Sequence, residues 1–167
     1  MKQPKKTYTK KNETGCCPVP NVKEWDGSVV VWKGKKFIKD HTLGVFHMPI
    51  NMGGVLKRMW DKVKKAKAEV PADEWMLLSY DVSPWKGEHY ASVSKNVSGA
   101  ENVTLSGTFL TKVFEGPYME AKNWHQEMIK YAESEKKRAK KIFFFYTTCP
   151  KCMKHYGKNY AIAFAQV

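Results

Sequence analysis

The sequence predicts an α+β fold of tandem pseudo-two-fold strand-helix-strand-strand repeats, with antiparallel sheet and two packed helices. Three observations carry that expectation. The first is self-similarity: Tyr80 and Pro84 recur 66 residues later as Tyr146 and Pro150, and the same offset pairs Val63 with Ile129, Ala66 with Ala132 and Leu78 with Phe144. Beyond the proline the offset grows to 70, pairing Tyr90-Ala91 with Tyr160-Ala161 and Val97 with Val167, so the second copy carries a four-residue insertion. A fixed offset outranks local propensity, because one supersecondary unit used twice sets the whole plan. The second observation is two amphipathic stretches at helical spacing. The third is a set of runs rich in β-branched and aromatic residues.

Each element follows from its local pattern. Residues 41–48 and 104–114 are strand-like in composition. Met52, Val55, Met59, Val63 and Ala66 recur at 3- and 4-residue spacing, as do Ala121, Trp124, Met128, Tyr131 and Glu135, although the last of these is polar. Lysines cover the opposite faces. Pro49 with Asn51, and Gly116 with Pro117, are the breakers that start these helices. Strands are expected at 74–82 with 88–97, and at 140–148 with 158–167. Helices on largely antiparallel sheet make an α+β domain.

Composition bounds the rest. A chain of 167 residues with 43% hydrophobic and 13% aromatic content has the makings of one folded body. Residues 1–15 are lysine-rich and almost without apolar side chains, and are read as a disordered basic tail. Residues 16–40 are read as an N-terminal extension that carries a cysteine pair and, over 28–38, a strand pair turning at Lys33-Gly34. The duplicated domain then occupies 41–167, as copies 41–97 and 104–167. No apolar segment follows the N-terminal lysines, and apolar runs such as Ile142 to Tyr146 are only a strand's length. Secretion and membrane spanning are therefore not expected, and the expected location is cytoplasmic.

A net charge of +13 raises nucleic acid as a partner. No helix-turn-helix, zinc-finger or RNP-type motif accompanies it, and the cations are mainly lysines, which suit solvated helix faces better than bidentate contacts. A soluble, charged exterior is the simpler account. Nothing forms a Ser-His-Asp arrangement, a phosphate loop, a dinucleotide fingerprint or an HExxH helix.

The run Thr111-Lys112-Val113-Phe114-Glu115-Gly116-Pro117-Tyr118, a helix containing Trp124, Tyr146-x-x-x-Pro150 and a closing strand from Tyr160 to Val167 resemble the GyrI-like (gyrase-inhibitor-like) small-molecule-binding domain. That domain is also the effector-binding half of multidrug-sensing transcription regulators. The resemblance covers residues from about 41 to 167. It implies a cleft between the two copies, lined by aromatics and holding a carboxylate that meets cationic drug-like ligands. Some relatives look like hydrolases that open strained cyclopropanoid compounds with tyrosine and glutamate residues.

Residues suited to such a cleft are present. Tyr80, Trp85, Tyr90, Tyr118, Trp124, Tyr146 and Tyr160 are the candidate ligand-binding aromatics, because flat rings hold planar or cationic organic molecules by stacking and cation–π attraction. Trp60, Phe109 and Phe144 are assigned to the core instead. Glu115, just before the Gly-Pro-Tyr turn, and Glu88, beside His89 and Tyr90, are the candidate carboxylates for general-base work or for pairing with a cation. Either glutamate can equally be solvated at a strand end.

The four cysteines form two pairs, Cys16-Cys17 and Cys149-Pro150-Lys151-Cys152, the second inside the insertion. They are the candidate metal ligands, for a structural zinc with His155 as a further candidate ligand, and equally a candidate redox pair. A thioredoxin-like site is not supported, since the motif falls between late strands rather than opening a helix in a βαβ unit. The sequence thus predicts a monomeric or weakly dimeric protein that binds a small amphipathic or cationic aromatic molecule for sequestration or detoxification. The alternatives are a hydrolase of reactive electrophilic molecules, and a basic nucleic-acid- or gyrase-associated protein.

Overall fold

The computed structural model describes residues 6–167, so the first five residues of the expected tail lie outside the described residues. In chain order the elements are helix α1 (Val22–Trp25), strands β1 (Ser28–Val45) and β2 (Met48–Pro49), helix α2 (Met52–Ala66), strands β3 (Leu77–Ser83), β4 (Lys86–Ser92) and β5 (Glu101–Glu115), a 3-10 turn (Tyr118–Glu120), helix α3 (Ala121–Ser134), strand β6 (Lys141–Tyr146), helix α4 (Pro150–Tyr156) and strand β7 (Tyr160–Gln166). The fold is mixed helix and antiparallel strand, as expected, with α1 and α4 in addition to the two anticipated helices. Among the described residues no helix is long and apolar enough to cross a membrane. Two compact units are present, Lys33–Ser106 and Gly107–Val167, the latter together with the described residues up to Trp32.

In the unit Lys33–Ser106, β4 pairs antiparallel with β1 on one side and β3 on the other. Ala91 lies opposite both Ile38 and Leu77. Its small side chain lets α2 approach, and Val55, Met59 and Val63 form the buried stripe packed with Ile38, Ala91, Val93 and Val97. Arg58 on α2 grips the Asp40 carboxylate with two 2.9 Å hydrogen bonds. That guanidinium holds the Asp40 carboxyl below its ordinary range.

In the unit Gly107–Val167, β7 is the middle strand, between β5 and β6. Ala161, Ala163 and Ala165 face α3 with Leu110, Phe114, Ile142 and Phe144, and receive Trp124, Met128 and Ala132. Small residues on the middle strand under large ones on the helix give close packing. Trp25 and Trp32 lie against Phe164 at ring separations of 5.3 and 5.5 Å. The chain before α1 is tied in by backbone bonds: Thr9 N–H donates to Val19 O, Val19 N–H to Lys11 O, and Asn21 N–H to Thr7 O.

Several expectations need correction. The strand pair turning at Lys33-Gly34 is absent; β1 runs unbroken from Ser28 to Val45, and Gly34, at φ +71°, donates its N–H to Ser106 Oγ instead of reversing the chain. Trp60 is not core. It follows Met59, one position off the buried stripe, and is 45% exposed with Lys64 Nζ 4.9 Å from its ring centre. The 66-residue offset pairs Leu78 with Phe144, yet these two differ in place: Leu78 lies opposite Tyr90, outside the cluster under α2, whereas Phe144 packs beneath α3. A one-residue slip in a strand exchanges its faces. Ala91 and Ala161, joined by the 70-residue offset, each face their own unit's helix.

Candidate functional site

The four cysteines converge. Cys16, Cys17, Cys149 and Cys152 have sulfurs that all lie within 4.8 Å of one another, and such a group can hold a metal ion. Local sequence explains each placement. Cys149 is the N-cap of α4 and Pro150 occupies its first turn, where a missing N–H costs nothing. Cys152 follows one turn later. Gly157, at φ +67°, closes the helix by donating its N–H to Met153 O. The motif therefore does open a helix, contrary to the sequence reading. The flanking strands β6 and β7 are antiparallel, which still separates this arrangement from a βαβ redox site.

The other pair is shaped by Thr14, whose hydroxyl oxygen accepts the N–H groups of Cys16 (3.2 Å) and Cys17 (3.3 Å). This is the side-chain turn that Thr favours two and three residues before a bend. The two adjacent sulfurs end 3.7 Å apart. Cys149 N–H donates to Cys17 Sγ at 3.4 Å, and Thr14 Oγ1 lies 3.3 Å from Cys152 Sγ. The Thr14 hydroxyl brings the Cys152 thiol down to about 6, while burial pushes the Cys17 thiol up. His155 does not join the sulfurs; its Nε2 meets Glu13 at 3.0 Å. Tyr156 donates its hydroxyl to Cys17 O at 3.0 Å and accepts Glu13 N–H at 3.1 Å. Thr14 and Tyr156 were missed by sequence reasoning. The Thr-x-Cys-Cys spacing signals the first, and nothing local signals the second.

The candidate ligand-binding residues fall in both units. In Lys33–Ser106, Glu88 and Tyr90 share one face of β4, with Tyr80 opposite Glu88 and Lys39 opposite Tyr90. The Tyr90 hydroxyl donates to Glu88 at 2.5 Å. Lys39 lies 3.6 Å from Glu88 and 2.7 Å from Glu101, and those carboxylates, Glu101 foremost, raise its pKa. The Glu88 side chain is 17% exposed. On the other face His89 is buried, its Nε2 3.0 Å from Thr42 Oγ1 and its Nδ1 3.0 Å from Ser79 Oγ. Burial holds His89 down to about 4, so it is neutral at pH 7. Trp85 stands apart, 56% exposed and tilted against Phe46.

In Gly107–Val167, Tyr118 packs edge-on against Tyr146 at 5.3 Å, and Tyr146 stacks on Phe144 at 6.0 Å. The Tyr118 hydroxyl donates to Thr148 O, and burial, then the nearby Cys149, raises its pKa. Trp124 is 4% exposed and stacks on Phe114. Glu115 lies opposite Tyr160, with its side chain 47% exposed and 3.3 Å from Lys158. Tyr118 and Tyr146 are thus brought together; Tyr160 and Glu115 form a separate pair.

The profile of a family described as bacterial hydrolase matches residues 7–167. No curated protein sequence matches the chain. Among solved structures, a hydrolase from Listeria innocua is similar at TM-score 0.57 and 14% identity, over 83% of this chain and 90% of that one. An uncharacterized conserved protein from the same organism gives TM-score 0.58 at 13% identity, with the same coverage. The structure of SAV2435 bound to tetraphenylphosphonium gives TM-score 0.51 at 13% identity, over 84% and 92%. At such identities these likenesses establish a shared fold. The profile match begins ahead of the first cysteine pair and runs to the last residue, and on that ground the chain belongs to the bacterial hydrolase family.

Proposed function

We propose that the protein binds a small amphipathic or cationic aromatic organic molecule, for sequestration or detoxification. The observation that carries this reading is the group Glu88, Tyr90, Tyr80 and Lys39, brought together by the pairing of β4 with β1 and β3. Two carboxylates, Glu88 and Glu101, flank the ammonium of Lys39 beside tyrosine side chains, which groups acidic and aromatic residues within a strongly basic protein. Such a combination favours an organic cation with flat rings. The tetraphenylphosphonium held by a structure of the same fold supports it. The GyrI-like resemblance belongs to the same proposal. Strand orders β1-β4-β3 and β5-β7-β6, each with one helix on the sheet, support its two-copy plan.

The test is thermal unfolding with tetraphenylphosphonium and with the neutral triphenylphosphine oxide. A ligand at a hundred times its Kd stabilises the folded state by about 2.7 kcal/mol. The expected result is a clear rise in Tm with the cation and a smaller one with the neutral compound. No shift with either, up to their solubility limits, would sink the reading.

A second reading, hydrolysis of reactive electrophilic molecules, is favoured by the family's description. Glu88 and Glu115 are the bases it would use. The four-cysteine cluster takes part in neither reading.

A further inference from the structure

We propose that Cys16, Cys17, Cys149 and Cys152 form a four-thiolate zinc centre that fastens residues 13–17 to α4. This goes beyond the small-molecule reading and does not depend on it.

The geometry points to one ion. A tetrahedral zinc with Zn–S bonds of ~2.3 Å holds its sulfurs ~3.8 Å apart. Cys16 and Cys17 already stand 3.7 Å apart, and no pair of the four exceeds 4.8 Å. Disulfides would require only that sulfurs approach in twos. Mutual convergence of all four is the requirement of a shared centre. Adjacent cysteines are an awkward pair of ligands unless the turn turns both side chains inward, and the Thr14 hydroxyl fixes that turn by accepting both cysteine N–H groups.

The surroundings suit thiolates. Binding replaces the remaining S–H protons with one Zn²⁺, the protons passing to solvent with no electron transferred, and leaves a centre of excess negative charge. Donors to sulfur then stabilise it. Cys149 N–H is one, aimed at Cys17 Sγ, and the Thr14 hydroxyl, which accepts from the Cys152 thiol here, is placed to become another once that sulfur has lost its proton. Sulfur ligands in a tetrahedron select zinc or iron. Cubane iron–sulfur clusters spread their cysteine sulfurs around a larger core than a spacing within 4.8 Å permits. Between single ions, zinc binds more tightly than ferrous iron.

The centre would act as a clamp. Outside it, Tyr156 of α4 holds Cys17 O and Glu13 N–H, and His155 holds the Glu13 carboxylate, so the two ligand-bearing segments already share a polar contact layer. Sequence separation between Cys17 and Cys149 is 132 residues, so the ion would close a long loop.

The experiment uses the full chain, purified under reducing conditions. Elemental analysis should find one zinc per chain. After stripping, cobalt(II) should give strong thiolate-to-metal charge transfer with tetrahedral visible bands. Cys16→Ser should remove roughly a quarter of that charge-transfer intensity, one ligand in four. Thr14→Val, which keeps all the ligands, should weaken zinc by ~10–100-fold. Hydrogen exchange at residues 6–21 should speed up on stripping. A reduced chain that takes up neither zinc nor cobalt overturns the proposal. So does native iron, charge-transfer intensity unchanged in Cys16→Ser, or exchange at 6–21 indifferent to metal.

Discussion

The Tyr90 phenol donates a 2.5 Å hydrogen bond to the carboxylate of Glu88, its neighbour on the same face of β4. Burial, then Glu88 itself, raises the Tyr90 pKa, so the phenol stays a donor at neutral pH. Tyr90 thereby holds Glu88 in place while one of its oxygens remains near Lys39. Glu88→Gln should weaken tetraphenylphosphonium by about tenfold, near 1.4 kcal/mol, and triphenylphosphine oxide far less. Glu115→Gln should do less to both, because its carboxylate is half-exposed and paired with Lys158. Calorimetric titration of each variant with both compounds decides it. Equal weakening by Glu88→Gln would give that carboxylate a structural role.

Binder and enzyme differ in what accumulates. If the protein hydrolyses a strained electrophile, Glu88→Gln or Glu115→Gln should lower turnover by ~10²–10⁴ while leaving unfolding unchanged, since removal of a general base acts on the reaction. Product analysis by mass spectrometry after incubation with excess cyclopropanoid compound gives the answer. A stoichiometric complex without product removes the enzyme reading and leaves the binder.

His89 makes stability depend on pH. In the folded protein burial holds it down to about 4, against 6.5 when unfolded, with the Asp40 charge opposing that shift. Its contribution is fully present above about 6.5, declines as the unfolded chain gains a proton the folded chain refuses, and is lost by about 4. The shift corresponds to at most about 3 kcal/mol. Urea unfolding from neutral pH to about 4 should show that loss, and His89→Gln should flatten the slope in that window. An unchanged slope would mean another group sets the acid limb.

Helix α2 was legible because Val55, Met59 and Val63 keep helical spacing with lysines opposite, so sequence period and buried stripe coincide. The cysteine site was legible for a different reason: four rare side chains in two pairs leave few alternatives. Which face Leu78 occupies was not legible, since strand faces depend on register and the β3–β4 pairing slips between Asp81 and Ser83. Helix α4 has seven residues and no apolar period, although Cys149-Pro150 carried a readable start signal. The Lys39, Glu88 and Glu101 grouping left no trace, because pairing between strands brings together residues far apart in the chain.

Trp124 on α3 and Trp60 on α2 offer the sharpest stability contrast. Trp124 is buried against Phe114, with ring centres 5.7 Å apart and nearly parallel, over the small alanines of β7. Truncating it leaves a large void that the close-packed sheet cannot collapse into, so Trp124→Ala should cost ~3–5 kcal/mol. Gly116 is coupled to the same ring: its φ is +145°, and an added Cβ would stand 3.4 Å from Trp124 Cζ2, so Gly116→Ala should destabilise through backbone strain as well as contact. Trp60 loses far less. It is largely exposed, and its clearest partner is the Lys64 ammonium over the ring, so Trp60→Ala should cost no more than ~1 kcal/mol. Chemical denaturation of the three variants tests the assignment. A Trp60→Ala loss matching that of Trp124→Ala would show that the exposed face of α2 is covered in the folded protein.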